Sequence, residues 1–431
     1  MRKAALHNLG CKVNAYETEA MQEILEQAGY EIVPFEEQAD VYVVNTCTVT
    51  NMADRKSRQM LHRAKKRNPS AVVVAAGCYV QTKEPEESLD ASIDIVIGNN
   101  KKKEIAHILE GYFQNRGQAG ARIERLDINL EREYETLEVS HTAGHTRAFI
   151  KVQDGCNQFC SYCIIPYARG RVRSRKQTEV AAEVERLAGQ GYQEVVLTGI
   201  HLSSYGTDTG EDLLSLIRQV HNTAGIRRIR LGSLEPGIIT EEFARSLAEL
   251  PKFCPHFHLS LQSGCDATLR RMNRKYDTAQ YYEKCQILRR FFQNPALTTD
   301  VIVGFPGETE EEFQASFAFI DRVDFYETHI FKYSKREGTK AAAMKDQVPE
   351  PVKTQRSGVL QELDHRKREA YEKRLIGTVQ EVLMEEAAVI DGETYQVGHT
   401  REYVKIGRKT REDLSNQLIN VEIESRSQII H

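Results

Sequence analysis

Three cysteines within eight residues, Cys156, Cys160 and Cys163, constrain this chain more than any other feature. They sit in Asp154-Gly-Cys-Asn-Gln-Phe-Cys-Ser-Tyr-Cys-Ile-Ile-Pro166. A Cys-x3-Cys-x2-Cys run presents three thiolates from one short loop, which suits a cuboidal 4Fe-4S cluster whose fourth iron carries no protein ligand and is open to a substrate or cofactor. Zinc is the competing reading, yet tetrahedral zinc normally takes four protein ligands, and no fourth Cys or His completes this loop. A disulfide framework fits less well. Three cysteines cannot pair among themselves, and Met1-Arg-Lys-Ala-Ala-Leu6 leads directly into a strand pattern rather than a secretory signal.

Around this loop, short β-rich runs alternate with polar helical stretches. The runs are Phe149–Val152, Glu194–Thr198, Arg228–Gly232, His256–Leu261, Leu297–Val303 and Phe325–Phe331. Six strands with intervening helices predict a parallel sheet curled into a partial (βα)6 barrel over residues 143–348, with its chemistry at the carboxyl ends of the strands. Those ends carry Thr198-Gly199-Ile200-His201, Ser233-Leu-Glu235, Ser260-Leu-Gln262, Asp300 and the glycine turn Val303-Gly304-Phe305-Pro306-Gly307. Strand-end or helix capping is the plain alternative for each polar residue taken singly.

A second set of cysteines is scattered until the strands are drawn. Lys3–His7 leads to Cys11, Asp40–Asn45 to Cys47 and Ala71–Ala76 to Cys78; a fourth strand is Ile93–Ile97. Polar helical stretches are expected at Glu17–Gln27, Met52–Lys66 and Gln81–Leu89. This is an open, doubly wound parallel α/β domain, residues 1–115, whose strand ends share one crevice. Three thiols brought together there are a second three-thiolate set; three independent core cysteines are the alternative. Cys254, Cys265 and Cys285 share no spacing and read as core or pocket-wall thiols.

Residues 116–142 read as a linker, and 349–373 as a charged connecting helix after Val348-Pro-Glu-Pro351. Beyond it, residues 374–431 hold five short strands separated by Gly or polar turns, a small antiparallel β-barrel. Its Arg401, Lys405, Arg408, Lys409 and Arg411 surround Tyr403, as in nucleic-acid-binding barrels, although a charge run is more often a solvated face. The densest basic run, Arg169-Gly-Arg171-Val-Arg173-Ser-Arg175, follows the cysteine loop, where it is expected to hold a phosphate backbone; a substrate-independent ion-pair network is the alternative. A formal net charge of -4 argues against indiscriminate DNA binding. No apolar run approaches a membrane span of about 20 residues, and a cytoplasmic location is expected.

The cysteine loop resembles the signature of the radical S-adenosylmethionine (SAM) superfamily, in which the methionine moiety binds the open iron. On that resemblance Thr198, Gly199, Glu235, Ser260, Gln262, Asp300 and Gly304 are the candidate SAM contacts. Many members carry Gly-Gly-Glu after the second strand; here the chain reads Thr198-Gly199-Ile200-His201, and Glu235 or another polar group is the expected substitute. Over nearly its whole length the chain resembles the methylthiotransferases of that superfamily, with an N-terminal three-cysteine domain, a radical core and a TRAM barrel. Leu9-Gly-Cys11-Lys-Val-Asn14, Asn45-Thr-Cys47–Ser57 and Phe149–Cys156 resemble most the branch acting on threonylcarbamoyladenosine in tRNA.

The resemblance implies two 4Fe-4S clusters, a radical one on Cys156, Cys160 and Cys163 and an auxiliary one on Cys11, Cys47 and Cys78. It implies methylthiolation at C2 of the adenine beside the anticodon, the tRNA anticodon stem-loop as partner, and an electron donor such as flavodoxin or ferredoxin. Arg169, Arg171, Arg173, Arg175, Arg401, Tyr403 and Lys405 are the expected RNA contacts. Isopentenyladenosine in tRNA and a ribosomal-protein aspartate are the substrates of sister branches. Outside the class, a two-cluster electron carrier with an RNA-binding module remains an alternative, but such a carrier has no need of polar residues at six strand ends.

Overall fold

The computed structural model describes residues 1–83, 90–115, 121–139 and 146–431. Its N-terminal sheet is parallel throughout, in the order β2-β1-β3-β4-β5-β6, from β1 (Lys3–Asn8), β2 (Glu31–Ile32), β3 (Val41–Thr46), β4 (Val72–Gly77), β5 (Ile95–Ile97) and β6 (Arg122–Glu124). The central strands are hydrophobic on both faces because both are covered. Val41, Val43, Val72 and Val74 pack with Met21, Leu25, Ile105 and Leu109, while Tyr42, Val44, Val73 and Ala75 pack with Leu61 and Ala64. A short helix spans Cys78–Gln81; residues 84–89 of the helix expected over Gln81–Leu89 lie outside the described residues.

The expected linker is not simply a spacer where it is described. Arg122–Glu124 adds the sixth strand by pairing with β5, and Leu137 and Val139 are buried with Tyr16 and Ala20. The apolar alternation is too short here to read as a strand without its partner.

All six barrel strands are present, as β7 (Arg147–Asp154), β9 (Glu194–Gly199), β10 (Arg228–Leu231), β11 (His256–His258), β12 (Ala296–Val303) and β13 (Glu327–Lys332); β8 (Arg173–Ser174) adds antiparallel to the edge of β7. The sheets β10-β9-β7-β8 and β11-β12-β13 join through parallel bridges Ile229–Phe253 and Leu234–Leu259. Residue alternation divides the wall. Ile150, Val152, Val195, Leu197, Ile229, Phe257, Leu297 and Val301 face the surrounding helices and form one core with Val184, Leu187, Leu216, Ile217 and Leu288. The intervening positions, among them Arg147, Lys151, Glu194, Thr198, Arg230, His256, His258, Thr298, Asp300 and His329, turn inward, so the lumen is polar.

The helix Glu350–Lys373 packs Leu360 and Leu363 into the barrel's outer core. After it come four strands rather than the five expected: β14 (Val379–Ile390), β15 (Glu393–Thr400), β16 (Lys405–Lys409) and β17 (Leu418–Glu422), antiparallel in the order β16-β15-β14-β17. The first two expected strands are one, because a bulge between Met384 and Glu386 absorbs the break in alternation. This sheet closes against the amino end of the barrel. Arg228 donates to the Glu381 and His399 carbonyls at 2.6 and 2.9 Å, and Arg230 to the Arg401 carbonyl at 2.9 Å. Among the described residues, no helix is long and apolar enough to cross a membrane.

Candidate cluster and cofactor site

The cysteine loop leaves β7 through Gly155 at φ +71°, where an added Cβ would lie 1.8 Å from the Arg171 carbonyl oxygen; only glycine fits. The loop is then pinned on several sides. Cys156 N–H donates to the Gly170 carbonyl at 3.1 Å, Ser161 N–H to Met272 at 3.0 Å, Ala341 N–H to Ser161 at 2.7 Å, and Asn273 Nδ2 to the Phe159 carbonyl at 2.9 Å. Burial pushes the Cys156 thiol up to about 11 and Cys163 to about 12, so the free thiols hold their protons and metal binding must release them. Arg274 lies 3.1 Å from Cys160 Sγ and pairs with Glu235, which places a cation and then a carboxylate beside the loop. Three convergent thiols fit a cluster with one open iron better than a closed zinc site.

Cys163 opens onto a cavity of about 610 Å³ lined also by Tyr162, Gln262, Asp300, Ile302 and Tyr333, within the range of about 300–1,000 Å³ usual for cofactor-sized ligands. Val49, Thr50 and Met52 of the N-terminal domain, just beyond Cys47, also line it. Cys11, Cys47 and Cys78 follow β1, β3 and β4. Gly10, at φ +106°, brings the Cys11 and Cys47 loops together: a Cβ there would meet Cys47 Sγ at 2.9 Å. Cys47 is pushed up to about 11, chiefly by burial and further by the neighbouring Cys78 and Cys11. Burial raises the Cys11 thiol pKa and Arg169 opposes it, although the residue keeps exposed surface. Asn99 Nδ2 stands 3.6 Å from Cys78 Sγ.

The expected SAM contacts scatter. Gln262, at φ +68°, and Asp300 line the cavity, and Glu235 is beside Cys160 through Arg274. Thr198 is buried on β9, Gly199 abuts Gln153, and the Ser260 carbonyl accepts from Tyr276 at 2.5 Å. At Gly304 a Cβ would sit 2.3 Å from Lys353 Cγ, so the glycine also permits close packing against the helix Glu350–Lys373.

The basic run needs correction. Arg169, Arg173 and Arg175 are fully buried and unable to reach RNA. Arg169 donates to Glu17 at 2.8 Å and Asp154 at 3.1 Å, Lys151 bridges the same two carboxylates at 2.7 and 2.6 Å, Lys102 also binds Glu17, and Arg175 pairs with Glu183. Burial alone would raise the Glu17 and Asp154 pKa values, but Arg169 with the two lysines holds Glu17, and Arg169, Lys151 and Arg173 hold Asp154, well below the carboxylate range. The network joins the N-terminal domain to the start of the cysteine loop, and its partners lie too far apart in sequence to be paired by inspection. Arg171 is half-buried over the Phe159 ring.

In the C-terminal domain, partly exposed Arg401 donates to the Pro251 and Phe253 carbonyls at 2.7 and 2.6 Å, which docks it on the barrel. Tyr403, expected to meet RNA, stacks here on His399 and His256, with Arg147 and Arg230 over its ring, at the amino end of the barrel. Lys405 is half-buried, whereas Arg408 and Lys409 are exposed. Arg274 and Arg336, the latter paired with Asp54 across the domain boundary, were not signalled by any spacing.

The radical SAM superfamily model matches residues 150–320, and the model described as Uncharacterized protein family UPF0004 matches residues 3–98. The threonylcarbamoyladenosine tRNA methylthiotransferase MtaB of Bacillus subtilis is 41% identical over 426 residues, covering 98% of this chain and 94% of the relative. The tRNA-2-methylthio-N(6)-dimethylallyladenosine synthase of Clostridium botulinum is 33% identical over 426 residues, covering 96% and 92%. The radical SAM methyltransferase TsrM of Kitasatospora setae superposes with a TM-score of 0.57 at 17% identity, over 77% of this chain and 73% of that one, a likeness of fold alone.

Proposed function

The chain belongs to the threonylcarbamoyladenosine tRNA methylthiotransferases of the radical SAM superfamily, and from that membership we propose how its residues divide the work. The enzyme installs a methylthio group at C2 of threonylcarbamoyladenosine, next to the tRNA anticodon. Cys156, Cys160 and Cys163 hold the cluster that receives SAM, and Cys11, Cys47 and Cys78 hold the auxiliary cluster. When bound, these groups supply an electron, a carbon-centred radical strong enough to take hydrogen from an unactivated C–H bond, and the sulfur and methyl to be transferred.

The chain's own residues prepare the chamber. The observation that carries the reading is that the segment just after Cys47 and Cys163 of the radical loop line a single cavity, and from this we infer that the two three-cysteine sets serve one reaction space. Arg274, held by Glu235, positions Cys160. Gln262 and Asp300 offer polar groups to a cofactor, while Ile302, Ile330 and Tyr333 exclude water from it. Exposed Arg408 and Lys409, with Lys405, present a basic edge for tRNA phosphates from the TRAM-like C-terminal domain. A low-potential one-electron donor such as flavodoxin or ferredoxin supplies reducing equivalents, and the setting is cytoplasmic.

Nucleoside mass spectrometry on tRNA from cells with and without the gene tests this. The methylthio derivative of threonylcarbamoyladenosine should vanish with the gene and return with the wild-type copy but not with Cys160→Ala. An unchanged profile would refute the substrate.

A further inference from the structure

The geometry points to a divalent-cation site inside the barrel, built without cysteine from His258, Asp300 and His329, of which Asp300 also lines the Cys163 cavity. One ligand atom from each, a ring nitrogen or a carboxylate oxygen, lies within 4.8 Å of the others. The three come from adjacent strands: Asp300 is paired in register with His329, and His258 with Thr298, two residues before Asp300. All point into the lumen by the same alternation that sends Leu297, Val301 and Phe257 outward. Such a site is built on rigid strands rather than loops, so little ordering is required to bind an ion.

The details favour ligation over a simple ion pair. His258 Nδ1 lies 3.0 Å from Thr298 Oγ1; with that nitrogen donating, Nε2 keeps its lone pair and faces Asp300 Oδ2 at 3.3 Å. Ligand atoms held at about 2.1 Å from a metal at right angles are roughly 3 Å apart, so this separation already matches neighbouring positions of a coordination sphere. Thr298 is the kind of outer partner that fixes the orientation of a metal-bound histidine. The His258 and His329 rings lie 5.6 Å apart and 23° from parallel.

The three residues border a cavity of about 270 Å³ shared with Lys12, Ser233, His256, Glu327 and Tyr403, which leaves room for further ligands. Two carboxylates, Asp300 and Glu327, line this cavity. Glu327 is partly satisfied by Arg368 at 3.3 Å. Two imidazoles and a carboxylate suit Mn(II), Fe(II) or Zn(II), with open positions for oxygen donors such as water or a carboxylate.

The test is a Mn(II) titration of the anaerobically reconstituted enzyme, both clusters oxidised and present, following the free aquo-ion signal by electron paramagnetic resonance. One Mn(II) should bind per chain. His329→Ala, at an exposed lumen position, should abolish that binding while iron content and SAM binding stay unchanged, and Thr298→Val should weaken it by about 10- to 100-fold. Absence of Mn(II) binding, or equal binding by wild type and His329→Ala, would overturn the site. So would an Asp300→Asn variant that loses SAM affinity yet keeps Mn(II), since Asp300 would then serve the cofactor alone.

Discussion

Glu17→Gln is the sharpest test of how the two cysteine sets are held in register. Glu17 is fully buried and accepts from Lys151 at 2.7 Å and from Arg169 at 2.8 Å, besides Lys102. Glutamine keeps the shape but removes the charge. Asp154 would then be the carboxylate left paired with Lys151, Arg169 and Arg173, while Lys102 would lose its ion pair with Glu17. Breaking a buried pair by removing one partner costs about 3–5 kcal/mol, because the remaining charges are left uncompensated. At about 1.4 kcal/mol per factor of ten, local opening should become roughly 100- to 4,000-fold more frequent. Hydrogen exchange would read this in peptides covering Lys12–Gln27 and the loop after Asp154, with β14 and β15 as internal controls. Loss of protection below about tenfold would show that the network is not what fastens the N-terminal domain to the radical loop.

Other outcomes follow from the same geometry. Gly155→Ala should prevent assembly of the loop cluster and leave iron for the auxiliary one only, because its Cβ would overlap the Arg171 carbonyl; full iron content would contradict this. Since Glu17 and Asp154 have depressed pKa values, their contribution is fully present above the unfolded carboxylate range near 4 and is lost as pH falls through the lower folded values. Urea midpoints should therefore decline from about pH 4 downward on account of this pair; a fall centred near pH 6 would implicate other groups. Arg408→Glu with Lys409→Glu should weaken tRNA binding and reduce the salt slope by about one unit for each phosphate the variant no longer neutralises, with cofactor cleavage in the absence of tRNA unaffected. An unchanged slope would remove this edge from the interface.

Much of the frame was legible because strands and cysteines announce each other. Val41–Thr46 and Val72–Gly77 are uninterrupted buried runs, and Cys47 and Cys78 stand directly after them. The six barrel strands were readable for the same reason. What sequence concealed is which charges are inside. Arg169, Arg173 and Arg175 read as a surface patch, since their partners Glu17, Asp154 and Glu183 come from three separate elements. Arg228-Ile-Arg-Leu231 shows its strand period plainly, yet nothing local says that its polar face turns into a lumen. The lost fifth strand of the C-terminal sheet has a local cause as well, because a bulge and a chain break look alike in hydrophobic alternation.

The aromatic stack at Tyr403 gives the last domain a duty apart from gripping RNA. It closes the amino end of the barrel: His399 and His256 both stack with the ring, and Arg230 is tied to the Arg401 carbonyl. A truncated enzyme would lose more than affinity, for bulk water would then enter the lumen from that end. The expected symptom is leakage, with SAM consumed and no methylthio product formed, so the coupling ratio rather than the binding constant would register the missing closure.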